Sequence, residues 1–365
     1  MAPEPEREQE PEQDPEQERE RQTILAAGLD VALQDFSEIP LVDFAGFRDG
    51  SARQAVAQQI GRAARDVGFL YVANHGVPEP LLARTLDWGR RFFALPEAEK
   101  LRLYRTSEGG FRGYRAPFGQ NYDPKRQLSY NENYFLWSEP PAGHRLADPD
   151  LPLNKPNLWP AGLPGFREDV EAYMAAALGF ARQLMQAFAL ALGLPAQAFE
   201  AIVDAPLGTL SFNHYPRHAG RIDHHVLGIS EHSDYGLVTV LAQDEVAGLQ
   251  VKNASGRWVA ARPLPGTFVI NLGQQMERLT NGLFKATAHR VVNASGGERY
   301  SLPFFLEPNW DAEIAVLEAC QGPDHPPAYA PVLAGPYYLE ILERSHAEIP
   351  PEMRVHAAAL MTAKT

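Results

Sequence analysis

The chain has 365 residues, 45 % of them hydrophobic, enough for a sizeable core in one large or two smaller domains. Its formal net charge of −13 argues against a nucleic-acid partner, because phosphate binding needs clustered cationic side chains. Cys320 is the single cysteine, which excludes an intramolecular disulfide and a thiolate zinc site.

In chain order, residues 3–22 carry nine acidic and three basic side chains and no apolar residue. Residues 1–25 are therefore expected to form a disordered acidic tail. A signal peptide would be basic then apolar, and the apolar stretch near 168–192 is interrupted by Glu171, Arg182 and Gln186. A cytoplasmic protein with no membrane contact is expected. Residues 36–205 read as an α/β region. IPLVDFAGFR (39–48) gives a short strand and a turn. Ser51 and Gln54 form a capping-box pattern before Val56, Ile60, Ala63, Ala64 and Val67, which recur at helical spacing. GFLYVANHGV (68–77) reads as a strand, and 79–101 as helix again.

The stretch 107–135 is rich in Gly, Arg and Tyr. A loop this long inside a compact domain suggests a substrate lid, with a plain surface excursion containing strand fragments as the competing reading. From Phe166 to Leu192, Val170, Tyr173, Met174, Ala177, Leu178, Ala181, Leu184, Met185 and Phe188 mark one core-facing stripe of a long helix. Residues 206–310 change texture to short β-rich runs between Gly, Asn and Pro turns, the pattern of a sandwich or jelly roll. Residues 311–350 read as a partly helical segment across the barrel, with a loose tail after Pro350. The fold class is α+β: a double-stranded β-helix (jelly roll) core flanked by N-terminal helices and a C-terminal helical segment.

The chemistry-bearing residues lie in the β-rich part. In EHSDYGLVTVL, His232 and Asp234 are two apart and share a strand face. In LFKATAHRVV, His289 shares a face with Lys285, Thr287 and Val291. Arg299 and Ser301 pair likewise in ERYSLPFFL, as do Asn213 and Tyr215 in SFNHYP. Two imidazoles and a carboxylate on a β scaffold make the facial triad that holds Fe(II) with coordination positions open. A guanidinium beside a hydroxyl suits a planar carboxylate in a confined pocket. H-x-D alone is weak, and a hydrogen-bonded polar cluster in a barrel mouth is the bland alternative. Zinc also accepts His and Asp, so a non-catalytic metal-binding module is a further reading. His75, His214, His218, His224 and His225 lack a carboxylate at strand spacing and read as surface or structural.

Taken together, IPLVDF, GFLYVANHGVP, FNHYP, HSDYGLVTVLAQD, GLQV, PGTFVINLG, TNGLFKATAHRV and RYSLPFF resemble the isopenicillin N synthase-like branch of the iron(II)/2-oxoglutarate-dependent dioxygenases. The resemblance covers most of residues 38–345. It implies that His232, Asp234 and His289 ligate Fe(2+), and that Arg299 and Ser301 hold the distal carboxylate of 2-oxoglutarate. It places Tyr215 and Asn213 near the keto-acid end. The implied reaction consumes O2, releases succinate and CO2, and hydroxylates or desaturates a small-molecule substrate. A same-fold oxidase and an ethylene-forming enzyme are its alternatives. One departure stands out: Gln274 in NLGQQM occupies a position where the family usually has Asp.

The substrate is less legible. Arg112, Tyr114, Arg115, Tyr122, Tyr130, Asn131, Asn133 and Tyr134 suggest a metabolite bearing a carboxylate, unless these arginines pair with the protein's own acids. Phe305 is expected in the core, with lining of the same cavity as the competing reading.

Overall fold

The computed structural model describes residues 31–32, 39–119, 122, 127–217, 225–253, 255–294 and 297–345. The tails expected at residues 1–25 and after Pro350 lie outside them.

The first part of the chain holds β1 (Val31–Ala32), β2 (Leu41–Asp43), α1 (Ala45–Arg48), α2 (Arg53–Asp66) and β3 (Phe69–Ala73). It continues through α3 (Glu79–Phe93), α4 (Glu97–Leu101), β4 (Gly113–Arg115), β5 (Leu128–Ser129), β6 (Glu132–Trp137) and α5 (Phe166–Ala191). The β-rich part holds β7 (Gly208–Tyr215), β8 (Val226–Leu227), β9 (Ile229–His232), β10 (Val238–Gln243), β11 (Leu249–Lys252) and β12 (Trp258–Ala260). Then come β13 (Thr267–Leu272), α6 (Gln274–Leu279), β14 (His289–Val291) and β15 (Arg299–Leu306). β16 (Glu313–Ile314), β17 (Val332–Leu333) and α7 (Ala334–Arg344) follow.

Eight strands form one sheet in the order β2-β3-β13-β10-β15-β7-β6-β4, and five form a second in the order β1-β12-β11-β14-β9. The two face each other as a jelly roll. The outer face of the larger sheet is covered by α2, α3 and α5. β7 shows why its sequence alternates by chemistry while every residue is buried. Leu210 and Phe212 join the main apolar core with α5, while Ser211, Asn213 and Tyr215 face the space between the sheets. Among the described residues, no helix is long and apolar enough to cross a membrane.

The long helix follows its stripe: Val170, Tyr173, Ala177, Ala181, Leu184 and Phe188 are all fully buried. It stops at Gly193, whose φ of +75° lets the Leu194 N–H return to the Ala189 carbonyl at 2.9 Å.

Several local expectations are corrected. Ser51 does not cap α2. Its N–H and hydroxyl both donate to Asp49 Oδ1, at 2.8 and 2.6 Å, so the helix starts two residues later without a side-chain cap. Residues 79–101 form two helices, because Pro96 cannot continue the first and instead caps the second. Residues 107–135 are not one long loop. As in the competing reading they contain strands, β4, β5 and the start of β6, but β4 and β6 extend the large sheet instead of forming a surface excursion. In LFKATAHRVV only His289–Val291 is strand. Thr287 turns away, its hydroxyl donating to the Val67 carbonyl at 2.6 Å.

Candidate active site

β9 and β14 are antiparallel neighbours, and their register sets His232 opposite His289. Asp234 lies two residues beyond the end of β9 and turns its Oδ1 toward both rings, 3.8 Å from His232 Nε2 and 3.6 Å from His289 Nε2. The three ligand atoms lie within 4.8 Å of one another. Each imidazole is fixed from behind. His232 Nδ1 donates to the Ser230 carbonyl at 2.8 Å, and His289 Nδ1 to the Thr287 carbonyl at 3.2 Å, so both Nε2 lone pairs point inward. Tyr122 stacks on His232 with ring centroids 4.2 Å apart and planes 5° from parallel. Phe69 meets His289 edge-on at 5.2 Å.

Protonation matches this arrangement. Burial, together with the neighbouring His289, pushes the His232 imidazolium pKa down to about 3, against the pull of Asp234. Burial works to raise the Asp234 carboxyl, but the two imidazoles and the Thr239 and Asn271 hydrogen bonds hold it below the ordinary carboxylate range. A His232 imidazole kept neutral beside an ionised Asp234 supplies two metal donors that need no proton release.

The triad lies in a cavity between the two sheets. β15 turns Arg299, Ser301, Pro303 and Phe305 into it. Across the ladder, Tyr215 opposes Arg299 and Asn213 opposes Ser301. The Arg299 guanidinium is 1 % exposed and sits 4.7 Å from the centre of the Tyr215 ring, which groups Tyr215 with the cation. Its Nε donates to the Val246 carbonyl at 3.2 Å and its Nη2 to Gln243 Oε1 at 2.9 Å. Nη1 has no acceptor, and no described carboxylate forms an ion pair with this arginine. A buried guanidinium N–H left open beside the Ser301 and Asn213 side chains fits a carboxylate ligand.

Thus the structure brings together His232, Asp234, His289, Arg299, Ser301, Tyr215 and Asn213 as the walls of one cavity. Phe305 lines it too and does not join the core, because it shares the inward face of β15 with Arg299. Of the substrate-region residues, Tyr122, Asn131 and Asn133 line the cavity. Arg112 instead donates to the Leu153 carbonyl at 2.6 Å, Tyr114 to Glu132 at 2.5 Å, and Tyr134 to the Leu158 carbonyl. Tyr130 packs with Phe118, Leu128 and Val226.

His75 and His214 are structural. His75 Nδ1 accepts the Val77 N–H at 3.1 Å, and burial holds the ring neutral. His214 is bonded to buried Glu132 at 2.7 Å. His225 contributes its carbonyl to a strand contact with Leu128, while His218 and His224 lie outside the described residues.

Sequence reasoning missed Thr239 and Asn271, which hold Asp234, and Gln243, which holds Arg299. The available signal was a polar residue on the inward face of an otherwise apolar strand, VTVLAQ or TFVINL. Gln274 starts α6. Its backbone N–H donates to the Asp234 carbonyl at 2.8 Å, and its side chain joins Ser233 Oγ (2.9 Å) to the Tyr337 hydroxyl (3.1 Å).

Residues 39–162 match the family described as non-haem dioxygenase in morphine synthesis, N-terminal, and residues 207–308 match the 2OG-Fe(II) oxygenase superfamily. A 2-oxoglutarate-Fe(II) type oxidoreductase of Emericella nidulans is 34 % identical over 300 residues, spanning 80 % of this chain and 86 % of that protein. A homoarginine-6-hydroxylase of Oryza sativa subsp. japonica is 34 % identical, spanning 79 % of this chain and 90 % of that one. Among solved structures, a full-length Neurospora crassa protein in complex with alpha-KG and thymine superposes with a TM-score of 0.75 at 28 % identity. The match covers 84 % of this chain and 96 % of that one.

Proposed function

Since this chain belongs to the 2OG-Fe(II) oxygenase superfamily, we propose that His232, Asp234 and His289 hold its iron and that Arg299 with Ser301 seats the distal carboxylate of 2-oxoglutarate. The chain is a 2-oxoglutarate-dependent dioxygenase acting on a small molecule, with Fe(2+), 2-oxoglutarate and O2 as its reactants and cofactor. The observation that carries the residue assignments is the unpaired Arg299 Nη1, buried in the same cavity as three converging metal donors.

Bound to the triad, iron supplies the activation of dioxygen that couples loss of CO2 from 2-oxoglutarate to oxidation of the substrate. The protein's residues supply position. The Ser230 and Thr287 carbonyls keep both Nε2 atoms aimed at one point, and Thr239 with Asn271 keeps one Asp234 oxygen occupied so that the other faces the rings. Arg299 fixes the co-substrate by a charge-assisted bond, with Tyr215 supporting the guanidinium and Asn213 and Ser301 completing the polar wall. The paired sheets limit water around the reacting groups. We assign the site to a core over residues 206–310, flanked by an N-terminal region (36–205) and a C-terminal segment (311–350). Hydroxylation or desaturation is the expected outcome.

The test is succinate formation from 2-oxoglutarate under air, with and without Fe(II), across a panel of small metabolites. Succinate should require both Fe(II) and 2-oxoglutarate, and a true substrate should increase it. Oxygen uptake with no succinate would replace this reading with that of an oxidase that draws all its electrons from the substrate.

A further inference from the structure

The cavity-facing side of the large sheet carries a second cationic feature, at its β4 edge. Register places Arg115 opposite Asn133, Asn133 opposite Asn213, and Asn213 opposite Ser301. Residues directly opposed on antiparallel strands share a face, so Arg115 belongs to the wall that holds Ser301. Three strand spacings separate them, about 14 Å.

Arg105 joins Arg115 there. Its backbone N–H bonds to the Tyr114 carbonyl at 2.8 Å, and its guanidinium lies 4.1 Å from the centre of the Phe135 ring. The Arg115 guanidinium lies 5.3 Å from the same ring, and Phe135 itself lines the cavity.

Both arginines are buried, at 6 % and 3 % exposure. Arg105 Nε and Nη1 and Arg115 Nη1 have no acceptor, and no described carboxylate forms an ion pair with either. Of the other buried cations nearby, Lys100 pairs with Glu132 at 2.8 Å, while Arg112 donates to the Leu153 carbonyl at 2.6 Å and leaves its Nε without a partner. Asn131 Nδ2 and Asn133 Oδ1, both on residues lining the cavity, are also without partners. Two like charges beside one aromatic ring, out of water and uncompensated, destabilise the free protein. A bound anion would relieve both. Neither arginine lines the cavity itself; the two lie beside Phe135, which does, and Tyr122, stacked on His232 in the same cavity, feels the charge of both guanidiniums.

We propose that Arg105 and Arg115 bind a carboxylate of the primary substrate, so that the enzyme oxidises an organic acid whose reacting carbon lies between this pair and the triad. Asn131 and Asn133 then read a neutral polar group of the same molecule. The inference rests on the oxygenase reading above and adds the substrate's charge to it.

The test uses the full chain loaded with Fe(II) and 2-oxoglutarate under nitrogen, with ligand-observed NMR of matched probes: phenylacetate against phenylacetamide, 4-phenylbutyrate against its amide, and hexanoate against hexanamide. In the wild type at least one acid should bind about 10-fold or more tighter than its amide, and Arg115→Gln and Arg105→Gln should each remove most of that preference. Arg115→Lys should keep part of it, since the charge remains without the fork. The 2-oxoglutarate dissociation constant should stay within about twofold in all three, a change small beside a lost charge contact. The proposal is overturned if no acid in the panel outbinds its amide, or if the preference survives both Gln variants. It is also overturned if 2-oxoglutarate binding weakens in parallel, which would assign the pair to the co-substrate. Melting curves verify folding, and if one Gln variant does not fold the other carries the test. Failure of the oxygenase reading appears separately, as 2-oxoglutarate binding indifferent to Arg299→Ala.

Discussion

The Asn271 carboxamide donates to Oδ2 of Asp234 at 2.6 Å, the same oxygen that the Thr239 hydroxyl reaches at 2.5 Å. With that oxygen doubly bound, Oδ1 is the one left facing the two histidines. Asn271→Ala is therefore expected to weaken Fe(II) binding by about 10- to 100-fold, the range for lost ligand-orienting partners. Activity should largely return at saturating iron. Iron titrations followed by succinate release check this, and an unchanged iron requirement would show that Thr239 alone suffices.

Removing Arg299 acts on the other end of the cavity. Arg299→Ala should raise the 2-oxoglutarate KM by a factor on the order of hundreds, as for loss of one partner of a buried charge pair. Iron affinity should be unaffected, since no triad atom bonds to this side chain. Steady-state kinetics in 2-oxoglutarate decide it, and a wild-type KM would remove Arg299 from the co-substrate site.

Glu132 governs stability at the outer face of the same sheet. Burial alone would raise its carboxyl pKa, but hydrogen bonds from His214, Lys100 and Tyr114 outweigh it and bring the value to about 2 from 4.5. The folded value is the lower one, so this stabilisation is present above the unfolded pKa and is lost as pH falls from about 4.5 to about 2. Wild-type protein should lose roughly 1 kcal/mol relative to Glu132→Gln between about pH 6 and about pH 3.5, by linkage. Urea melts of both proteins across that range are the check; parallel curves would show that Glu132 ionises as an ordinary carboxyl.

Gln274 connects the ligand loop to the last helix through Ser233 and Tyr337. Asp is one methylene shorter and cannot span both partners. Gln274→Asp should lower stability by about 1–2 kcal/mol, the scale of a lost or unsatisfied buried hydrogen bond. The 2-oxoglutarate KM should not change, because Gln274 is not part of the cavity wall. Thermal melts beside kinetics test this; a large KM change with an unaltered melting temperature would make it a pocket residue.

The pairing of Arg299 with Ser301 depends only on strand geometry. That of His232 with Asp234 named the right residues for a different reason, because β9 ends at His232 and Asp234 reaches the site from the turn beyond it. Both pairs were readable before any fold was known. So was the long apolar stripe of α5. What could not be read were contacts made across the sheet. Nothing local in VTVLAQ says that Thr239 meets Asp234, and only pairing of β6 with β7 makes Glu132 a neighbour of His214. Ser51 failed as a cap because Asp49, two residues earlier, competes for it at closer range. The stretch 107–135 failed as a loop because β4 and β6 are too short and too mixed in composition to show a period. Their strand character comes from docking of β6 on β7 and of β4 on β6.

β3 is held along one edge by β13, with Phe69 opposite Asn271 and Ala73 opposite Thr267, about 200 residues further along the chain. During synthesis at about 5–20 residues per second, Phe69, Leu70, Tyr71 and Val72 leave the ribosome roughly 10 to 40 s before that partner exists. For this interval an apolar strand with one unpaired edge invites association with other nascent chains. Translation arrested before Thr267 should release a fragment that chaperones retain and that aggregates when freed from them.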